Sequence, residues 1–229
     1  MLKRTHVVLG AWHPERHGLS RTAGSISVSA VSAVSLFFIG AVLFCNGLTL
    51  LGKIQPKGAA PVNALVGIVL VAASAHLGVP HGAKEADLVG AAGFLLFAIT
   101  YLWVALNSYT GHDPAGLGWY CAWATAVSAF LGLVTVSHLD DDKFALLWLL
   151  WAVLFAVFFV VIALDRQSLA YAAGWLAILE AIFTASGPGG LEMIGKWEDL
   201  ATGWVVLATV VVLGGFAAVA LRRRAVPAA

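Results

Sequence analysis

Formal charges in this chain are confined to short segments. No Asp, Glu, Lys or Arg occurs in 22–52, 58–83, 88–112, 114–139, 144–164 or 200–221, and 167–191 is interrupted only by Glu180. A helix needs about 20 apolar residues to cross the hydrocarbon core of a bilayer. Each stretch is long enough for one crossing and too short for two. The spacing therefore predicts an all-α, polytopic membrane helix bundle. Its spans fall at roughly 33–51, 61–79, 88–107, 118–137, 144–164, 171–191 and 202–221. Only 11% of the residues are charged, against about 25% in a soluble domain, so an ordinary soluble fold is excluded. A transmembrane β-barrel would show short strands of alternating polarity; runs such as 146–161 do not alternate.

The predicted connections are short and carry turn chemistry: Pro56 and Gly58, Pro80 and Gly82, Asp113-Pro114, and the tight 140–143 link. The segment 187–199, opening Gly-Pro-Gly-Gly, also reads as a linker, because Gly and Pro clusters punctuate helices. Short links predict sequential antiparallel hairpins. Lys53, Lys57, Arg166, Arg222, Arg223 and Arg224 fall on one side of the membrane, against Lys84, Lys143 and Lys196 on the other. The positive-inside rule makes the first side cytoplasmic, with the C-terminus. Residues 1–30, with Lys3, Arg4, Arg16 and Arg21, run against that rule. They fit a disordered or surface-lying tail, or a start codon assigned upstream of the true one, and receive no function. They lack the compact apolar region and cleavage site of a signal peptide.

Glu180 is the one Asp, Glu, Lys or Arg deep inside a predicted span. A carboxyl at that depth normally faces a bundle interior or a water-filled cavity and marks a functional site. The alternative is a structural carboxyl, protonated or bonded to a neighbouring helix. Asn46 is a second candidate. Leu36, Ile39, Leu43 and Asn46 share one helical face at spacings of three and four, and Asn46 could equally serve as interhelical hydrogen-bonding glue beside Gly47. Trp148, Trp151 and Phe155 form one stripe on the fifth span, and Tyr101 and Trp103 sit on the third. Such rings also anchor helices at membrane interfaces. His76, His81 and His138 near the outer span ends read as loop residues, without metal-ligand spacing. Cys45 and Cys121 fall inside predicted spans, where a free Cys behaves as a small hydrophobe, and the sequence leaves a disulfide between them open without supporting it. No nucleophile elbow, metalloprotease motif, P-loop or dinucleotide fingerprint occurs, so neither enzyme nor cofactor is expected, and no basic patch suits nucleic acid.

At these residues the sequence resembles the AmiS/UreI family of bacterial urea and short-chain amide channels. The match is carried by Phe38-Ile-Gly-Ala-Val-Leu-Phe-Cys-Asn-Gly47, Lys53-Ile-Gln-Pro-Lys57 and Asn63-Ala-Leu-Val-Gly67. It continues through Gly93-Phe-Leu-Leu-Phe-Ala-Ile-Thr-Tyr-Leu-Trp-Val-Ala-Leu-Asn107, Gly118-Trp-Tyr120, Leu147-Trp-Leu-Leu-Trp-Ala-Val-Leu-Phe155 and Gly174-Trp-Leu-Ala-Ile-Leu-Glu-Ala-Ile-Phe-Thr184. The resemblance implies a six-helix channel bundle over 31–197 that encloses its own pore. It also implies a ring-shaped homohexamer in the bacterial inner membrane and a functional link to a cytoplasmic urease or amidase. The segment 198–229, with a seventh span and an Arg tail, lies outside it. Carried across, the resemblance assigns the pore wall to Ile39, Leu43 and Asn46, to Ile99 and Trp103, to Trp148, Trp151 and Phe155, and to Glu180.

Two departures temper the assignment. Phe155 stands where acid-activated members of the family have Trp, which removes an N–H donor. The outer loops at 80–87 and 140–143 are short, which argues against strong acid gating. The resemblance implies a passive channel for urea or small amides. The alternatives are a proton-coupled amide or amine carrier using Glu180, and a structural membrane subunit.

Overall fold

A computed structural model describes residues 28–79 and 82–225 of the protein. Residues 1–27 of the expected tail, Pro80, His81 and the side chains of Arg223 and Arg224 lie outside the described part. The expected tail and the first helix overlap: α1 runs over Val28–Leu50 and is followed by α2 (Pro56–Gly78), α3 (Glu85–Thr110), α4 (Ala115–His138) and α5 (Asp142–Ile162). After a short 3-10 turn, a further span comprises α6 (Ala170–Glu180), a π-helical segment (Ala181–Ser186) and α7 (Gly187–Met193). The last helix, α8, covers Thr202–Ala225. Among the described residues, seven helical segments are long and apolar enough to cross a membrane.

Local chemistry sets the ends of these helices. Pro56 opens α2 at a position where its missing N–H costs nothing. The Lys84 backbone N–H donates to the Asp87 carboxylate at 2.9 Å, and Glu85 and Asp87 place negative charge in the first turn of α3. Gly111 closes α3 in the left-handed region, at φ 68°. The Asp141 carboxylate accepts from Phe144 N at 3.0 Å, which caps α5.

The Gly-Pro-Gly-Gly segment departs from expectation. It is not a linker: 187–190 opens α7 and the chain stays helical to Met193. The π segment before it bonds from each N–H to a carbonyl five residues back, which gives the Pro188 ring room to enter without ending the helix. The glycines serve packing. A Cβ added at Gly189 would lie 2.6 Å from Phe37 N and 2.8 Å from Ala33 O. Further along the same seam, a Cβ at Gly47 would meet Gly174 O at 2.7 Å. Small residues let two backbones meet where lipid supplies no hydrophobic drive for helix association.

α2 packs against α3 and α4 against α5 as hairpins, and α1 lies against the sixth span. α8 packs on α6 and, less extensively, on α5. Large apolar side chains such as Leu65, Ile68, Phe130, Leu133 and Val210 face outward, as a lipid-facing surface requires. Cys45 and Cys121 are free thiols. Gly189→Ala is expected to destabilise the protein by about 1–3 kcal/mol through overpacking, read as a lower Tm in detergent. Gly203→Ala, where an added methyl meets nothing within 4 Å, should leave Tm unchanged or slightly raised.

Candidate pore

Two cavities lie end to end within the bundle. One, about 310 Å³ and called outer here for its place beside the acidic loops, is walled mainly by α1, α3 and α5, with Leu77 from α2, Thr135 from α4 and Glu192 from α7. The inner one, about 140 Å³, lies toward the basic loops between α1, α3, α4 and α5. Phe97 belongs to both walls, whereas Trp151 belongs to the outer and Phe155 to the inner. The Phe97 ring sits edge-on to Trp151 at 5.3 Å between centroids and tilted against Phe155 at 5.4 Å. Trp148 meets Trp151 edge-on at 4.8 Å. These spacings are favourable aromatic contacts, and together the rings divide one cavity from the other.

The sequence explains how the rings are seated. Phe144, Trp148, Trp151 and Phe155 recur at four, three and four residues, so all fall on one face of α5. Gly93 and Gly132 clear space for the indole of Trp148: a Cβ at Gly93 would come within 2.5 Å of the ring and one at Gly132 within 3.1 Å of Trp148 Cβ. Trp151 is fixed by a bond instead. Its Nε1 donates to Thr184 Oγ1 at 2.9 Å, and that hydroxyl donates to Glu180 O at 2.7 Å.

The nine expected wall residues divide. Ile39, Trp148 and Trp151 line the outer cavity, and Leu43, Asn46 and Phe155 the inner one. Ile99 and Trp103 line neither. Ile99 is exposed on the outer surface, and Trp103 packs on the Tyr120 ring at 5.9 Å. The reason is helical phase. Phe97, Thr100, Tyr101 and Val104, at three- and four-residue spacing, form the face of α3 that reaches the inner cavity; on the same helix Ile99 falls on the opposite side and Trp103 to one flank. Glu180 also lines neither cavity. It is fully buried, and neither carboxyl oxygen has a hydrogen-bond partner among the described residues. Sequence reasoning missed Phe97 and Phe144. The signal for Phe144 was the same stripe, extended one step.

The polar groups are unevenly spread. Among the described residues, Asp87, Asp141 and Glu192 line the outer cavity without a Lys or Arg in its wall. Lys143 is turned aside, donating to Trp197 O at 2.9 Å and pairing with Glu198 at 3.5 Å. No described residue of the inner wall is Asp, Glu, Lys, Arg or His. Its polar members are Asn46, Thr49, Thr100, Tyr101 and Cys121. Such a wall can exchange hydrogen bonds with a neutral solute and offers no counter-charge to an ion. Thr184→Val keeps the side-chain shape and strands the Trp151 N–H, which costs about 1–3 kcal/mol. A lower Tm in detergent is expected, with most of it recovered in Thr184→Ser; a Val variant melting with the wild type would show that the bond does not hold the ring.

Comparison with known proteins sets this arrangement in context. The sequence profile described as AmiS/UreI family transporter matches residues 31–196. A Mycolicibacterium smegmatis protein described as a transporter of amidate substrates is 39% identical over 202 residues, covering 86% of this chain and 93% of its own. An acid-activated urea channel of Helicobacter pylori is 32% identical over 197 residues, covering 71% and 97%. The cryo-electron microscopy structure of the H. pylori urea channel in a closed state superposes with a TM-score of 0.62. It is 31% identical and covers 72% of this chain and 98% of that one.

Proposed function

The chain belongs to the AmiS/UreI family, and on that premise we propose that it is a passive channel for urea and small aliphatic amides. The observation that carries the reading is the pair of cavities joined at an aromatic divide, the inner one walled without charge. Urea and primary amides are neutral and planar. They need no counter-ion, and a slot between flat rings selects for thickness. A few donors and acceptors replace lost water, and weak binding at several points permits exit as well as entry. In this reading Phe97, Trp148, Trp151 and Phe155 form the slot. The carboxylates at the outer mouth give it a negative field, which disfavours anions and leaves neutral amides unaffected. Assembly as a hexamer in the inner membrane, with the C-terminus cytoplasmic, completes the proposal.

One observation favours a second reading, a proton-coupled carrier. Glu180 is fully buried and without a hydrogen-bond partner among the described residues, and intramembrane carboxyls take part in proton transfer in pumps and transporters; that it is a single carboxyl weighs against this reading.

The decisive experiment is stopped-flow light scattering on proteoliposomes with urea, acetamide and glycerol at pH 5 and 7.5. Fast, non-saturating urea or acetamide entry without a gradient supports the channel; entry that requires a pH gradient and is lost in Glu180→Gln supports the carrier. Absence of flux above empty liposomes would sink both. Trp151→Ala should change urea flux strongly in properly assembled protein. Phe97→Ala, which removes the ring common to both cavities, is expected to admit glycerol and longer amides at rates approaching that of acetamide. Unchanged selectivity in Phe97→Ala would remove that ring from the slot.

A further inference from the structure

Behind the inner cavity, two carboxamides face each other. Asn46 Nδ2 donates to Asn63 Oδ1 at 3.0 Å, and Asn63 Nδ2 donates to Asn46 Oδ1 at 2.7 Å. The second N–H of Asn63 donates to Ala59 O at 2.9 Å. Asn46 is in the cavity wall; Asn63 is not, and is fully buried on α2.

The bonding has a direction. A backbone carbonyl only accepts, so Asn63 must turn its NH₂ toward Ala59. That choice fixes which end of Asn63 meets which end of Asn46, and so fixes the Asn46 amide as well. A carboxamide has two N–H donors and an oxygen with two lone pairs. Both donors of Asn63 are spent. Asn46 retains one N–H and one lone pair, with their positions set by its partner. Two of the neighbouring hydroxyls are committed elsewhere, Thr49 donating to Cys45 O at 3.0 Å and Thr100 to Leu96 O at 2.9 Å, whereas the Tyr101 hydroxyl has no partner among the described residues. Among the described residues of that wall Asn46 is the one carboxamide, set beside hydroxyls, a thiol and hydrocarbon.

We propose that Asn63 is a positioning residue that fixes which way round Asn46 faces permeating solutes, and that the fixed amide favours solutes carrying a free carboxamide over polyols of similar size. Released from Asn63, Asn46 could turn its amide either way and would present no constant pattern. This rests on the channel reading and adds to it a source of selectivity outside the aromatic slot.

The test compares initial acetamide and glycerol entry in proteoliposomes for the wild type, Asn46→Leu, Asn63→Leu and the double variant. Each single variant should lower the acetamide-to-glycerol ratio by about tenfold, the worth of one hydrogen bond. The double variant should lower it no further than Asn46→Leu, because Asn63 acts through Asn46. A purely structural Asn63 would instead lower both fluxes together and leave the ratio unchanged, which overturns the proposal. Should Asn63→Leu fail to assemble, Asn63→Ala removes the same carboxamide with less bulk against α1: a ratio lowered as in Asn46→Leu supports the proposal, and a ratio unchanged from the wild type overturns it. Wild-type protein that passes no acetamide overturns the channel reading, and this proposal with it. Wild-type acetamide flux with an unaltered ratio in the variants overturns the amide assignment alone.

Discussion

The close approach of α1 to the sixth span is the contact on which the rest of the arrangement depends. Gly40 and Gly47 on one side, and Gly174 and Gly189 on the other, bring backbone against backbone. In a bilayer, where apolar side chains gain little by leaving lipid, such contacts decide how helices associate. The seam also fixes the rotation of α1. Gly40 and Gly47 each follow a wall residue, Ile39 and Asn46, by about 100° around the helix. With the glycines committed to the sixth span, Ile39, Leu43 and Asn46 turn to the cavities, Asn46 at the edge that also meets Asn63 of α2. On the opposite side of the seam, Ser186 donates to Phe37 O at 2.9 Å. That bond anchors the π segment whose Thr184 holds Trp151.

The division between the cavities is held by two kinds of restraint. Trp148 is seated sterically, in the space left by Gly93 and Gly132. Trp151 is held by a directional bond to Thr184. Phe97 and Phe155 lack any hydrogen-bonding group; they are buried in the core and packed ring against ring.

The spans were legible in the sequence because a bilayer penalises charge so severely that the gaps between charges trace the helices. The faces were less so. α3 is apolar nearly all round, so no polarity contrast marks which side turns inward; the family resemblance pointed to Ile99 and Trp103, while the three- and four-residue spacing of Phe97, Thr100, Tyr101 and Val104 marks the inner face. α5 was easier because its indoles stand out among aliphatic residues, and the stripe could be followed. Glu180 was conspicuous as a carboxyl in a span, yet its burial outside both cavity walls depends on packing that composition does not encode. Gly-Pro-Gly-Gly misled for a related reason. The turn signal of Gly and Pro belongs to water, where a freed backbone group finds solvent. Within a bundle such residues are tolerated in a helix, and here the glycines meet α1.

The seventh helix raises the question of how an element outside the family match can bear on the pore. No described side chain of α8 lines the inner wall, and the helix packs on α6 and α5. Its connection to α7 is different. Trp197, in that connection, is buried with its ring edge-on to Phe144 at 5.8 Å, and Phe144 lines the outer cavity. Lys143 closes the contact, with its ammonium 5.1 Å from the Trp197 ring and bonded to the Trp197 carbonyl. The Lys143 side chain is mostly shielded from solvent, so this bond is less weakened by water than the exposed pairing of Lys196 with Asp199. The contact from the α7–α8 connection to the outer cavity therefore runs through one indole and one phenyl ring, beside the direct packing of α8 on α6 and α5.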